Sequence, residues 1–221
     1  MLIYLILMKG LFEVHLITKP EYQTQLFGYI TNLRDTRLIR PRPTCATAMY
    51  GDYPVQPMLT FWISGTVEEV TKIVREVESD MTNNNIPIIR TKIEAMPHND
   101  EVPNKCHDNH YFEFHFKVKI ASTKDWNDIA KLIVPYGGHL FYNPYNKTLN
   151  PIVTIRRYTS LDDLEKVYML VKELLESHKY VLTQPEKEYS VYDSNVNLDK
   201  NWLFEGDQTN FITNIDNKML F

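Results

Sequence analysis

Glu113, His115, Lys117 and Lys119 stand at every second position of Tyr111-Phe112-Glu113-Phe114-His115-Phe116-Lys117-Val118-Lys119, with Phe112, Phe114, Phe116 and Val118 between them. Period two is the pattern of a strand that buries one face and frees the other. A merely solvated face would carry Thr, Ser or Lys rather than an acid, an imidazole and amines in a row. An imidazole among carboxylates and amines can move protons near neutral pH. Amines beside it can neutralise charge that builds up on a reacting phosphoryl group. The plain alternative is a polar face laced with cross-strand ion pairs.

The same letters occur one hundred positions earlier, where Phe12, Glu13 and His15 match Phe112, Glu113 and His115. His115, Glu113 and His15 are therefore the candidate acids and bases. Arg90, Lys92 and Glu94 alternate with Ile89, Thr91 and Ile93 on a further strand, which adds Lys92 and Glu94 to the face. Lys117, Lys92 and Arg156 are the expected anion holders, with Glu94, Asn143, Tyr192 and Asp193 as further substrate contacts. His98, just beyond the strand that carries Lys92, is expected to swing over the face as a fourth catalytic candidate. Glu-x-His twice over also has the donor types of a divalent-metal site. Nearby Lys and Arg oppose a cation, so no metal ligand is assigned and a divalent ion stays open as an alternative. No other cofactor is called for.

The elements that must position these residues repeat as well. Residues 57–63 read as a strand and lead into Thr66-Val67-Glu68-Glu69, a capping box, and a helix with Val67, Val70, Val74, Val77 and Met81 on one stripe. Ile152 to Arg157, the cap at Ser160 and the stripe Leu161, Leu164, Val167, Val171 and Leu174 give the second copy. With strands at 12–17 and 111–119, helices at 22–33 and 126–133, second strands near 38–50 and 139–142, and last strands at 88–94 and 188–193, each half reads βαββαβ. The expected fold is thus α+β, two tandem duplicated ferredoxin-like repeats whose sheets carry a polar cleft. The expected boundaries are an extension over 1–10, a first repeat over 11–95, a linker over 96–110, a second repeat over 111–195 and an extension over 196–221. In this motif the strands lie in the order fourth, first, third, second.

The chain has 221 residues, 43% of them apolar, and a formal charge of −4, which is ordinary globular composition and argues against a general nucleic-acid binder. The local run Arg34, Arg37, Arg40 and Arg42 leaves a nucleic-acid partner open, though it reads more simply as a charged strand edge. Cys45 and Cys106 are too few and too far apart for a disulfide framework. The apolar run at residues 1–7 is far shorter than the ~20 residues of a membrane span; it reads either as an extra strand or, the preferred of the two, as an extension upstream of a start at Met8. A cytoplasmic protein with no membrane partner is expected, its oligomeric state open. Phosphate-loop, dinucleotide, nucleophile-elbow and zincin signatures are absent.

Lys92-Ile93-Glu94-Ala95, Pro97-His98-Asn99, Val102-Pro103, Tyr111-Phe112-Glu113-x-His115-x-Lys117, and Tyr192-Asp193-Ser194-Asn195 with Asp199 and Trp202 resemble a family of uncharacterised microbial and fungal proteins over roughly Lys92 to Trp202. The resemblance implies a shared site and names no activity. In architecture the paired His also resembles the two-histidine phosphoesterases, although Lys117 stands where their hydroxyl residue would be. The expected function is an enzyme of phosphoester hydrolase or transferase type acting on a small phosphorylated, nucleotide-like or other anionic substrate. The alternatives are a non-catalytic anion- or nucleic-acid-binding module and a metal-dependent enzyme.

Overall fold

The computed structural model describes residues 8–107, 110–146, 148 and 150–202. Eight strands and four α-helices are found among them. The first half runs β1 (Lys9–Thr18), a 3-10 turn at Pro20–Tyr22, α1 (Gln23–Asn32), β2 (Ile39–Ala48), β3 (Val55–Thr66), α2 (Val67–Asn83) and β4 (Ile88–Ala95). The second runs β5 (Tyr111–Lys119), α3 (Asp125–Ile133), β6 (Gly138–Tyr142), β7 (Ile152–Arg157), α4 (Leu161–Ser177) and β8 (Val181–Asp193), then a 3-10 turn at Val196–Asp199. The fold is α+β, and all the strand pairings are antiparallel.

The strands close into a barrel in the order β1-β3-β2-β6-β7-β5-β8-β4. Within each half the order is fourth, first, third, second. The halves are joined at two seams, β2 with β6 and β4 with β8. The sequence suggested sheets with a free face; instead the faces curl toward each other and enclose the space between them.

The local signals act as their chemistry requires. Thr66 caps α2 by accepting from the Glu69 amide at 3.2 Å, while Glu69 Oε2 accepts from the Thr66 amide at 2.8 Å, which satisfies donors that a helix start leaves open. Ser160 caps α4 by accepting from the Asp163 amide at 3.1 Å. Val70, Val74, Val77 and Met81 of α2 are buried, as are Leu164, Val171 and Leu175 of α4. On α4 the stripe thus ends at Leu175, four residues after Val171, rather than at Leu174. These helix faces pack with Phe12, Val14, Leu16, Phe112, Phe114, Phe116 and Val118 into one core outside the barrel wall. Phe114 stacks on Tyr168 at 3.7 Å between ring centres.

Because successive side chains of a strand point to opposite faces, the same packing turns Glu13, His15, Glu113 and His115 into the barrel. The expected extension over 196–221 divides here: the chain turns at Val196–Asp199 and brings Trp202 against the barrel, whereas Phe204 and Phe211 lie outside the described residues, as do residues 1–7. Asp108 and Asn109 of the expected linker also lie outside them.

Candidate functional site

Inside the barrel the titratable groups form a continuous ring. Lys92 Nζ lies 2.5 Å from Glu94 Oε1 and 2.5 Å from Glu113 Oε2. His115 Nε2 lies 3.3 Å from Glu113 Oε2 and 3.1 Å from Glu188 Oε2. Glu188 shares a hydrogen bond with Glu13. His15 Nε2 closes the ring, 3.9 Å from Glu13 Oε1 and 3.2 Å from Glu94 Oε2. Each imidazole is steadied through its other nitrogen by a threonine of the neighbouring strand, His15 Nδ1 with Thr60 Oγ1 at 2.9 Å and His115 Nδ1 with Thr154 Oγ1 at 2.6 Å.

Burial sets the protonation of the ring. Burial alone would push the Glu113 carboxyl up, but the charges of Arg156, Lys92 and His115 hold it well below the usual range. Glu188 is likewise lowered against burial by His115. Burial would strip His115 of its proton, yet hydrogen bonds to Glu113 and Glu188 raise it to about 10. Glu13 has burial and the charges of Glu188 and Glu94 acting together, so its carboxyl rises to about 10 and keeps its proton near neutrality. Two carboxyl groups that share a hydrogen bond cannot both ionise cheaply.

A second layer braces the ring. Arg156 Nε donates to Glu113 Oε1 at 2.6 Å and Nη2 to Asp199 Oδ2 at 2.7 Å. Arg90 reaches both Asp193, at 2.6 and 2.9 Å, and Asp199, at 2.8 Å. The Tyr111 hydroxyl donates to Asp193 Oδ2 at 2.6 Å. Asp199 belongs to the turn after β8, so this turn pins the network from beyond the last strand.

The ring borders a cavity of about 180 Å³. Glu13, His15, Lys92, Glu94, Glu113, His115, Glu186 and Glu188 line one side; Ile17, Ala46, Met58, Phe141, Ile152 and Trp202 supply apolar wall. Glu94, Glu113, His115 and Glu188 offer ligand-type atoms within 4.8 Å of one another, a set able to collect a divalent cation. The Lys92 ammonium lies between two of these carboxylates and already supplies positive charge there.

The structure brings together His115, Glu113, His15, Lys92, Glu94, Arg156 and Asp193. Four expected residues lie apart. His98 is exposed in the turn after β4. Asn143 Oδ1 accepts from the Tyr145 amide and shapes a turn. Lys117 is half-buried beyond a bulge in β8, where His115 faces Glu186 but Lys117 faces Thr183. Tyr192 is half-exposed, because a second bulge in β8 pairs Ile93 with Tyr192 but Glu94 with Ser190. That extra residue sends Tyr192 outward and Asp193 inward.

Sequence reasoning missed His139. It is buried in the cavity wall, its ring 4.0 Å from that of Trp202. Burial holds its imidazole well below the ordinary value. The alternation of His139 and Phe141 against Leu140 and Tyr142 carries the signal, but the strand is only five residues long.

No protein-family model matches the sequence, and no curated protein does. Solved structures do show likeness. A provisionally assigned monooxygenase from Fusobacterium nucleatum is 7% identical, with 90% of this chain and 99% of that one covered and a TM-score of 0.33. An anthrone oxidase-like protein is 13% identical, with coverage of 86% and 95% and a TM-score of 0.28. A heme-binding protein from Thermus thermophilus is 8% identical, with coverage of 83% and 92% and a TM-score of 0.29.

The expectation of phosphoester hydrolysis or transfer on a phosphorylated or other anionic substrate is corrected. The physical reason lies in the ring: Lys92 and Arg156 are already matched to Glu94, Glu113 and Asp199, Lys117 is not among the cavity residues, and Glu13, Glu186 and Glu188 add acids to its wall. An entering anion would face carboxylates, with the Lys and Arg of the cavity wall among the described residues already paired. No helix among the described residues is long and apolar enough to cross a membrane.

Proposed function

We propose that the barrel is an acid–base catalyst that moves a proton on a small, largely apolar molecule bound in its cavity. The observation that carries this reading is the placement of Glu13 and Glu188 together on the wall of one cavity, the first carboxyl raised to about 10 by burial and by the charges of Glu188 and Glu94, the second lowered by His115. Groups whose environments push their protonation apart can divide the work of acid and base. Glu188 takes the proton and Glu13 returns one. His115, fixed between Glu188 and Glu113 and backed by Thr154, keeps those carboxylates ionised. Glu113, Lys92, Arg156 and Glu94 hold the charge of the ring in place.

The same reading takes the two halves as an internal duplication. Its support is the matched placement of Glu-x-His on β1 and β5, each His bonded to a threonine of the third strand of its own half. The polar cleft expected from the sequence corresponds, on this reading, to the barrel interior.

The test is solvent-deuterium exchange into a panel of small enolisable ketones and phenols, followed by NMR, with oxygen uptake read in parallel because enolates and phenolates are the species that dioxygen oxidises. Exchange catalysed by the wild type is expected to fall by about 10²–10⁴-fold in Glu13→Gln and Glu188→Gln, the range typical of a lost acid or base. Exchange that survives both substitutions would refute the assignment. A parallel arm with chelator and with added Zn²⁺ or Mn²⁺ decides whether a divalent ion belongs to the site: activity present only with metal would replace proton transfer by the carboxylates with metal-assisted chemistry.

A further inference from the structure

Outside the ring, the cavity lining carries three buried polar atoms without a hydrogen-bond partner among the described residues, Thr44 Oγ1, Trp202 Nε1 and His139 Nε2, and of these only the imidazole nitrogen belongs to a titratable group. His139 is 6% exposed, and its Nε2 has no hydrogen-bond partner among the described residues. A buried polar atom left in this state is unfavourable and calls for a partner. The ring has little freedom to find another one: one face lies against Trp202, and the Phe141 ring is 6.2 Å away at an interplanar angle of 26°.

We propose that His139 is a specificity-determining residue of the cavity, and that it selects a compact, single-ring-sized apolar molecule bearing one hydroxyl group. The inference rests on the acid–base reading only in placing the ligand in the same cavity. Size follows from the volume of about 180 Å³, against ~150 Å³ for a cavity that takes up benzene. The hydroxyl follows from the imidazole. A neutral ring presents either N–H or a lone pair at Nε2, and a hydroxyl, which both donates and accepts, answers either tautomer. The carboxylates of the ring disfavour an anionic substituent, and Ile17, Met58, Phe141 and Ile152 leave the rest of the molecule apolar surroundings.

The test measures binding without turnover, by calorimetry and ligand-observed NMR on the full chain with phenol, toluene and benzoate. Phenol is expected to bind about 10-fold to 100-fold more tightly than toluene, the factor of one hydrogen bond to a group otherwise left unpaired. Benzoate is expected to bind more weakly than phenol. In His139→Phe the phenol advantage should disappear while toluene binding is kept. Nitrogen NMR of the wild type should show the His139 Nε2 signal move with phenol and stay in place with toluene, an observation that does not depend on the variant folding. Equal binding of phenol and toluene, preference for benzoate, an unmoved Nε2 signal, or a phenol advantage retained in a folded His139→Phe each overturns the proposal. Glu13→Gln separates the two readings: it should lower proton exchange by the factor given above and leave the His139-dependent phenol preference in place.

Discussion

Replacing Glu113 with Gln tests whether the ring is a cooperative electrostatic unit. The residue is 1% exposed, and its two oxygens face Lys92 at 2.5 Å, Arg156 at 2.6 Å and His115 at 3.3 Å. Gln is close in shape but carries no charge, so two buried cations and a protonated imidazole lose their common counter-charge together. Removing one partner of a buried ion pair costs about 3–5 kcal/mol. For a chain of this size that corresponds to a fall in Tm of roughly 6–20 °C. His115 should also lose its proton at lower pH, since Glu113 is one of the two groups that raise it. The assays are thermal and urea unfolding by circular dichroism, with imidazole titration by NMR. Combining Glu113→Gln with Lys92→Met should restore part of the loss, because removing both partners leaves fewer uncompensated charges. A loss below about 1 kcal/mol, the size of a surface pair, with an unchanged His115 titration, would refute the reasoning.

The pH dependence of stability follows from the same groups. Glu13 rises from 4.5 and His115 from 6.5, both to about 10, so their contributions are full below those starting values and are lost as pH climbs to about 10. Glu113, Glu188 and Asp193 are lowered, so theirs are present above the ordinary carboxylate range and are lost as pH falls through it. The urea midpoint should therefore be higher near pH ~6 than near pH ~9, and an equal or higher midpoint at the alkaline value would contradict these assignments. Thr66→Ala removes the cap of α2 and should lower stability by about 1 kcal/mol in urea unfolding. Phe114→Ala should lower it by about 3–5 kcal/mol, since the ring is 2% exposed and stacked on Tyr168.

The strands that carry the ring were legible because each combines strict alternation with a bulky apolar face. Phe112, Phe114 and Phe116 fix which way β5 faces, and with it the direction of Glu113 and His115. Closure was not legible. Whether two sheets curl into one barrel depends on pairing between Ala48 and Phe141, or Lys92 and Asp193, which are contacts between residues far apart in sequence. Tyr192 shows a different limit: alternation from Glu188 places it inside, and a single extra residue in β8 reverses that. Asn143 and His98 are polar residues beside strands, and their types alone could not separate turn formers from site residues. The anionic substrate was inferred from the types of Lys92 and Arg156, whereas their effect depends on partners such as Asp199, which comes from a turn with no periodic pattern.

The seam between β4 and β8 has a consequence for the order of synthesis. Lys92 and Glu94 leave the ribosome well before Glu113, Glu188 and Asp199, the last by about a hundred residues, or on the order of ten seconds of translation. Until then Arg90 lacks both Asp193 and Asp199, and the inner face of the nascent first half holds charges with an open sheet edge at β4. Premature compaction is disfavoured by those unmatched charges, and the exposed edge is a template for pairing with a neighbouring nascent chain. The turn after the last strand thus acts as an internal quality check: a chain that stops before Val196–Asp199 has nearly all of its apolar core yet lacks Asp199, the carboxylate shared by Arg90 and Arg156, and should be recognised by proteases as unfinished.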